Sequence, residues 1–274
     1  MHIEARGLTF DVRTGGADSA PAVLLLHGFP QNALMWRGVE PTLHAAGLRT
    51  VAPDQRGYSA GARPAAVGAY AASEVVDDAL AIMDALHLDM AHVVGHDWGA
   101  VVSWQLAARH PERVRSLTAV SVPHPRAFSH ALRTSPDQLR RSAYLLLLRR
   151  KGIAERLLTG NDAKRLRGVF DGAGLSAAEI DRYVAPMLAP SALTAALNWY
   201  RAISLTGRSG TGPVAVPTTY LWSDGDRALG RVAAQRCDRY VTGDYRFVPL
   251  RGVSHWIPDQ APELLADAVL DRIG

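Results

Sequence analysis

The sequence predicts an α/β fold in which a mainly parallel sheet is flanked by helices. Short apolar runs end in turn residues, and longer segments with helical periodicity follow them. This alternation is typical of βα units on a parallel sheet. A chain of 274 residues with 48% hydrophobic residues is also long enough to bury a large core around such a sheet.

The short apolar runs are predicted to be strands. The alternating N-terminal segment before them is also predicted to be a strand. These runs cover residues 22–26, 50–52, 92–95, 117–121, 218–222 and 246–248. Apolar residues recur at spacings of three and four in the segments between them, which predicts helices over residues 73–86, 98–109 and 230–239. Ser73 is expected to cap the first of these helices.

The pattern changes between residues 122 and 216, where helical segments follow one another without a convincing strand. Serines that can cap a following helix stand at Ser135, Ser176 and Ser191. An insertion of this length is far longer than an ordinary connection between strands. The sequence therefore predicts a helical cap over residues 122–216, inserted after the sixth strand of a core formed by residues 1–121 and 217–274.

Charge and composition exclude several classes of partner. The net charge is +4, but the basic residues are scattered or alternate with leucines at helical spacing, so we expect solvated helix faces and no nucleic-acid partner. No apolar stretch reaches the roughly 18 residues of a membrane span, and the N-terminus does not read as a signal peptide. These features predict no membrane partner and a cytoplasmic location. Cys237 is the only cysteine and is predicted to be a packed, inert thiol. For the oligomeric state, the sequence leaves both a monomer and a homodimer open.

The stretch Gly-His-Asp-Trp-Gly at residues 95–99 matches the pattern of a nucleophile elbow, with Asp97 at its centre. Glycines leave room beside the central residue on a tight turn between a strand and a helix. A carboxylate at the start of a helix is favoured in its ionised form. The competing interpretation is an ordinary helix in which Asp97 is the N-cap.

Two backbone N–H groups could stabilise an oxyanion beside this elbow. Phe29 follows the strand over residues 22–26 within a His-Gly-Phe-Pro turn, and its N–H could pair with that of Trp98. Such a pair would face the side chain of Asp97.

Two later strand ends supply an acid and a histidine. We choose Asp226 over Asp224 as the acid because the turn between them should carry the later carboxylate past the end of the strand. His255 lies in a loop after the last strand. The chain order Asp97, Asp226, His255 is then nucleophile, acid and base, and all three follow strands where open α/β sheets place their ligand sites.

On these residues the sequence resembles the epoxide hydrolases in the aspartate-nucleophile branch of the α/β-hydrolase family. The matching motifs are HGFPQ (27–31), PDQRGYS (53–59), GHDWGA (95–100), HPERV (110–114), ALNWYRA (196–202), WSDGD (222–226) and GVSHWIP (252–258). The resemblance implies an α/β-hydrolase fold, with Asp97 as nucleophile, His255 as base and Asp226 as its orienting acid. It further implies that Tyr200 is a cap tyrosine that holds the epoxide oxygen, and it implies no cofactor or metal.

One position departs from this family. Such enzymes usually carry two cap tyrosines, the first in a helix about five residues before the glycine of a Pro-Gly turn. Here the turn reads Lys151-Gly152, and the corresponding residue is Leu147. Tyr144 lies one helical turn earlier and could reach the site from the same face, or could pack within the cap. Tyr144, Leu147 and His96 are predicted to line the substrate pocket.

The predicted reaction is the opening of a small hydrophobic epoxide to a vicinal diol through an alkyl ester on Asp97, which water activated by His255 then hydrolyses. A haloalkane dehalogenase with the same triad is the nearest alternative, although Phe29 stands where that family usually has asparagine. Fluoroacetate dehalogenases carry arginines just after the nucleophile, where this chain has Trp98 and Val101. A relative that binds a ligand with little turnover is the third alternative.

Overall fold

A computed structural model describes residues 1–203 and 210–274. Its strands are β1 (His2–Ala5), β2 (Leu8–Gly15), β3 (Ala22–Leu26), β4 (Arg49–Pro53), β5 (Ala91–His96), β6 (Val114–Val120), β7 (Thr218–Ser223) and β8 (Tyr245–Leu250). They form one eight-stranded sheet in the order β1-β2-β4-β3-β5-β6-β7-β8. Only the pairs β1–β2 and β2–β4 are antiparallel. The predicted mainly parallel α/β sheet is therefore confirmed.

Helices cover both faces of this sheet and one of its edges. The α-helices are α1 (Glu40–Ala45), α2 (Ala72–Ala85), α3 (Trp98–Arg109), α4 (Pro125–Thr134), α5 (Pro136–Arg141), α6 (Tyr144–Leu148), α7 (Ile153–Arg167), α8 (Ala177–Met187), α9 (Ala192–Ala202), α10 (Arg231–Ala234), α11 (Ile257–Gln260) and α12 (Pro262–Ile273). Short 3₁₀ helices lie at Ala33–Gly38, Val67–Tyr70, Pro111–Arg113, Gly168–Phe170 and Cys237–Tyr240.

The predicted serine caps are confirmed at Ser135 and Ser176, and are wrong for the side chains of Ser191 and Ser73. Ser135 and Ser176 accept hydrogen bonds from backbone N–H groups of the helices that follow them. Ser191 stands at the N-cap of α9 in the left-handed conformation, and its side chain makes no capping bond. Ser73 lies inside α2 instead of capping it, because the chain enters that helix directly from the 3₁₀ turn at Val67–Tyr70.

The helix predicted over residues 230–239 is broken into α10 and a 3₁₀ turn. The chain bends after Ala234 so that Cys237 packs inward, where its sulfur accepts a hydrogen bond from the backbone N–H of His124 at 3.2 Å. Burial raises the pKa of the Cys237 thiol, so the group stays protonated.

The elements described between β6 and β7 are all helical, as predicted for a cap inserted after the sixth strand. Hydrogen bonds join this region to the core. The indole N–H of Trp199 donates to the carbonyl of Arg56 at 2.8 Å, and the hydroxyl of Tyr183 donates to Asp259 at 2.8 Å. The limits of core and cap at residues 121 and 217 stay a prediction.

The parallel strands place four loops at one edge of the sheet, under the cap. Parallel strands all end at the same edge, so the residues that follow β3, β5, β7 and β8 meet there. β3 and β4 are buried along their whole length, which gives this edge a rigid base.

None of the helices within residues 1–203 and 210–274 combines the length and the hydropathy that a transmembrane span needs.

Candidate active site

Asp97 occupies a sharp turn between β5 and α3. Its φ of 52° and ψ of −119° are rare for a residue with a side chain and indicate backbone strain, which proteins concentrate at functional sites. A Cβ on Gly95 would overlap the hydroxyl of Ser103, and one on Gly99 would overlap the carbonyl of Leu26. The side chain of Asp97 accepts no capping hydrogen bond from the second or third residue of α3, so the N-cap interpretation does not describe it.

We expect a Gly99→Ala variant to be destabilised by about 1–3 kcal/mol, since the added methyl group must push α3 away from the end of β3. Gly68→Ala is a matched control, because a Cβ there meets no atom within 4 Å. Urea unfolding followed by circular dichroism measures both free energies of unfolding. Equal stability of the two variants would contradict the packing seen at the elbow.

His255 bridges two carboxylates. Its Nε2 lies 3.4 Å from Oδ2 of Asp97, and its Nδ1 lies 2.7 Å from Oδ2 of Asp226. The other oxygen of Asp226 accepts hydrogen bonds from the backbone N–H groups of Ala228 at 2.7 Å and Leu229 at 3.0 Å. These bonds fix the Asp226 carboxylate, which in turn fixes the plane and tautomer of the His255 ring.

The two acidic residues after β7 occupy different environments. The side chain of Asp226 is fully buried beside His255. Asp224 is exposed and accepts a hydrogen bond from the backbone N–H of Gly252 at 2.8 Å. The structure thus brings Asp226, and not Asp224, to the histidine.

Two backbone N–H groups point at the Asp97 carboxylate. The N–H of Phe29 donates to Oδ1 at 2.9 Å, and the N–H of Trp98 also hydrogen-bonds this carboxylate. Gly28 permits the close approach of the Phe29 turn, because a Cβ at Gly28 would overlap the side chain of Asp97. Both N–H groups predicted from the sequence therefore converge on the same side chain.

The charges of this site stabilise one another. Burial raises the pKa of Asp97, but the hydrogen bond and charge of His255, with the N–H of Trp98, outweigh it and leave that pKa below its usual range. Burial lowers the pKa of His255, yet Asp226 and Asp97 together raise it to about 10. In the resting protein, Asp97 is therefore an anion paired with a cationic His255.

Beneath the site, two side chains hold the loop that carries His255. The ring of His96 donates from Nε2 to the His255 carbonyl at 2.9 Å, and the hydroxyl of Ser121 donates to the same carbonyl at 2.8 Å. Burial lowers the pKa of His96 to about 3, so this ring is neutral. Sequence reasoning missed Ser121, whose position at the end of β6 was the available signal.

A cavity of about 380 Å³ opens above Asp97, within the size range of small-molecule sites. Its walls are mainly apolar and include Trp98, Val101, Phe128, Leu145, Trp199 and Leu229. Tyr144 and Tyr200 of the cap also line it. The cavity therefore combines an apolar surface, a carboxylate and two phenols.

Both phenols keep their protons over a wide pH range. Tyr200 is only 4% exposed, and its ring lies edge-on to those of Phe29 and Trp98, with centroids 5.5 and 5.1 Å apart. Burial and the charge of Asp97 raise the pKa of Tyr200 well above its usual value. The same two causes raise the pKa of Tyr144, whose 42% exposed surface includes the part that lines the cavity.

The predicted pocket positions of Leu147 and His96 do not hold. Leu147 is 41% exposed and is not among the residues the structure describes as lining the cavity. On α6 the lining residues are Tyr144 and Leu145, and Leu147 lies at the edge of the face they share, turned toward solvent. The His96 ring lies below the elbow because neighbouring residues at the end of a strand point to opposite faces.

Comparison with known proteins agrees with this architecture. The model of the alpha/beta hydrolase fold family matches residues 21–262. The chain is 32% identical to the AB hydrolase superfamily protein YfhM of Bacillus subtilis, with 99% of this chain and 96% of that protein covered. It is 30% identical to epoxide hydrolase A of Mycobacterium tuberculosis, with 98% and 95% covered.

Solved structures give the same result. Epoxide hydrolase A from Mycobacterium thermoresistibile superposes with a TM-score of 0.88 at 29% identity, covering 100% of this chain and 97% of that one. An epoxide hydrolase from an endophytic Streptomyces has a TM-score of 0.85 at 26% identity, with 100% and 94% covered. From its sequence, its sheet order and its elbow, the chain belongs to the α/β-hydrolase fold family.

Proposed function

We propose that this protein is an epoxide hydrolase that opens a small hydrophobic epoxide to a vicinal diol through an alkyl ester on Asp97. The observation that carries the proposal is the placement of an ionised Asp97 across an apolar cavity from the phenols of Tyr144 and Tyr200. The similarity to proteins named epoxide hydrolases supports it.

In the first step, an oxygen of Asp97 attacks an epoxide carbon, and the carbon–oxygen bond of the ring breaks. A carboxylate is a suitable nucleophile for saturated carbon when it is oriented and shielded from water. The alkoxide that leaves needs a proton, and the phenols of Tyr144 and Tyr200 are protonated donors on the cavity wall. The product of this step is an ester on Asp97.

The second step uses His255 as a base, although it is cationic in the resting protein. Esterification removes the negative charge of Asp97, which is one of the two charges that raise the pKa of His255 to about 10. His255 then loses one proton. This proton makes up for the one that the alkoxide gained from the phenols. Neutral His255 accepts one proton from water as the water oxygen attacks the ester carbon of Asp97. The bond between that carbon and the oxygen that carries the substrate then breaks, and the departing diol oxygen takes the second proton of the water. Asp97 is then again an anion beside a cationic His255.

The backbone donors serve this second step. When water adds to the ester, the carbonyl oxygen of Asp97 becomes an oxyanion. Phe29 and Trp98 already donate to the Asp97 carboxylate in the resting state, so they need not move to stabilise that charge. Asp226, at 2.7 Å from Nδ1, stabilises the His255 ring whenever that ring is protonated.

Tyr144→Phe and Tyr200→Phe are each expected to lower kcat/KM for epoxides by about 10- to 100-fold, and the double variant by more, because the alkoxide loses its proton donors. Tyr245→Phe is a control, since Tyr245 lies on β8 and is not among the described residues of the cavity wall. The assay is diol formation over a panel of epoxides, with halide release from haloalkanes measured in parallel.

The outcomes separate the proposed function from its alternatives. Loss of epoxide turnover in the tyrosine variants alone supports the proposal. Halide release from the wild-type protein that is insensitive to both tyrosine changes would instead show a haloalkane dehalogenase. Tight binding of epoxides without turnover would show a ligand-binding relative.

A further inference from the structure

One carboxylate outside the cavity, that of Asp259, joins the core to the cap. Its Oδ2 accepts a hydrogen bond from Nε2 of Gln31 at 2.5 Å, and its Oδ1 accepts one from the hydroxyl of Tyr183 at 2.8 Å. Burial raises the pKa of Asp259, and the two hydrogen bonds and the charge of Arg37 act in the opposite direction. None of these side chains is among the described residues that line the cavity, so any effect on the reaction must pass through other groups.

The bond to Gln31 fixes the turn that carries an oxyanion donor. Gln31 lies two residues after Phe29, whose N–H donates to Asp97 at 2.9 Å. The Gln31 side chain is fully buried, and an unmet hydrogen bond on a buried amide costs stability. A donor of this kind acts only while it is held within about 0.5 Å of its place. Asp259 is the residue that holds this turn from the far side.

Asp259 itself lies on α11, which follows the loop that carries His255. The N–H of Ile257 donates to the carbonyl of His255 at 3.0 Å. The side chain of Gln260 accepts a hydrogen bond from the N–H of Ser254 at 2.7 Å. The helix of Asp259 is therefore bonded to the loop on both sides of the histidine.

Tyr183 connects the same point to the cap. Its ring stacks on that of Phe170, with centroids 5.4 Å apart, and Phe170 lies 4.7 Å from the ring of Trp256. Trp256 directly follows His255 in the chain. The cap thus meets the loop that carries His255 through aromatic packing and through the hydrogen bond from Tyr183 to Asp259.

We propose that Asp259 is a positioning residue that holds the Phe29 turn, the loop that carries His255 and the cap in fixed places relative to one another. Its bond to Gln31 places the N–H of Phe29 for the oxyanion that forms when water attacks the ester on Asp97. Its bond to Tyr183 places the cap, whose wall binds the substrate. The inference rests on the proposed function, because it takes these groups as parts of that reaction.

The two bonds are expected to affect different steps of a single turnover. Gln31→Leu should slow decay of the ester on Asp97 by about 3- to 10-fold, a fraction of the loss that follows removal of an oxyanion donor. Tyr183→Phe should instead raise the epoxide concentration that half-saturates ester formation by about 3- to 10-fold. Asp267→Ala, which removes an exposed carboxylate on α12, is the control and should change neither. Quenched-flow mass spectrometry of the peptide that contains Asp97 measures both steps.

A conservative variant distinguishes positioning from a general loss of stability. Oε1 of Gln31 is buried and has no hydrogen-bond partner within residues 1–203 and 210–274. In Asp259→Asn, the new amide can donate to this oxygen once the Gln31 amide turns over, and the new carbonyl can accept from Tyr183. Asp259→Ala should show both kinetic losses, whereas Asp259→Asn should recover most of each. Equal impairment of the two variants would contradict positioning by these hydrogen bonds.

Hydrogen exchange of the Phe29 amide, measured by nuclear magnetic resonance, separates this inference from the proposed function. Exchange should become faster by about 10-fold in Gln31→Leu and Asp259→Ala, because the turn is no longer held, and stay unchanged in Asp267→Ala. If exchange rises as expected but the wild-type protein hydrolyses no epoxide, the positioning role stands and the proposed reaction is overturned. If epoxides are hydrolysed and Asp259→Ala changes neither exchange nor either step, the positioning role is overturned and epoxide hydrolysis stands.

Discussion

An Asp97→Ala variant is expected to lose epoxide turnover by about 10⁴-fold or more, because it removes the carboxylate proposed to attack the epoxide. The loss should appear in kcat, since the apolar walls and phenols that bind substrate are untouched. Asp224→Ala is the matched control: it removes an exposed carboxylate two residues from Asp226 that lies outside the site. Steady-state diol formation measures both variants.

The same variant also tests the electrostatics of the site. Without the charge of Asp97, His255 keeps only Asp226 as a stabilising anion, so the pKa of His255 should fall below its resting value of about 10. Titration of the ring by nuclear magnetic resonance follows this change directly. A pKa for His255 that is the same in wild type and Asp97→Ala would show that the two side chains are not coupled as their 3.4 Å separation indicates.

Isotope labelling distinguishes covalent catalysis by Asp97 from simple activation of water. In a single turnover of the wild-type protein in heavy-oxygen water, the label should enter the peptide that contains Asp97, because water attacks the ester carbon. Direct attack of water on the epoxide would place the label only in the diol. That result would overturn the ester mechanism even if Asp97→Ala were inactive.

The sheet and the triad could be predicted because their signals are local. Asp97 directly follows β5, and Asp226 and His255 lie in the loops after β7 and β8. The carboxyl ends of parallel strands meet at one edge whatever the helices do. The glycines beside Asp97 report a steric requirement that involves only the neighbouring turn and strand. These signals depend on few long-range contacts, so they can be recognised from one sequence alone.

The cap could be predicted as helical, but not in the detail that shapes the site. Which residues of the five-residue α6 face the cavity depends on the rotation of that helix, and a helix this short with apolar residues on every side carries no clear amphipathic signal. The packing of α6 against α9 and α7 sets that rotation. Tyr144 therefore became visible as a second phenol only in three dimensions.

The role of His96 was hidden for a related reason. His96 stands beside Asp97 in the sequence, yet its ring points below the elbow and holds the carbonyl of His255. This role depends on what a distant part of the chain places next to the side chain.

A His255→Gln variant is expected to form the ester on Asp97 and then stop. Alkylation needs an ionised Asp97, to which the N–H groups of Phe29 and Trp98 still donate. Loss of His255 raises the pKa of Asp97, so the reaction is best started at alkaline pH, where the carboxylate is ionised. Hydrolysis needs a general base, whose removal typically costs about 10²- to 10⁴-fold. One equivalent of epoxide should be consumed in a burst, and mass spectrometry should find its mass on the peptide containing Asp97.

The pH dependence of the wild-type protein provides the complementary evidence. In the free protein the pKa of His255 is about 10, so the ring is protonated at neutral pH and cannot act as a base. In the ester the charge of Asp97 is gone, so that pKa is lower and the neutral ring becomes available as pH rises through the lower value. Single-turnover decay of the ester should therefore rise with pH and reach its plateau well below pH 10. A rise that follows the pKa of the free protein, or a His255→Gln variant that releases diol without accumulating ester, would show that His255 is not the base that esterification of Asp97 releases.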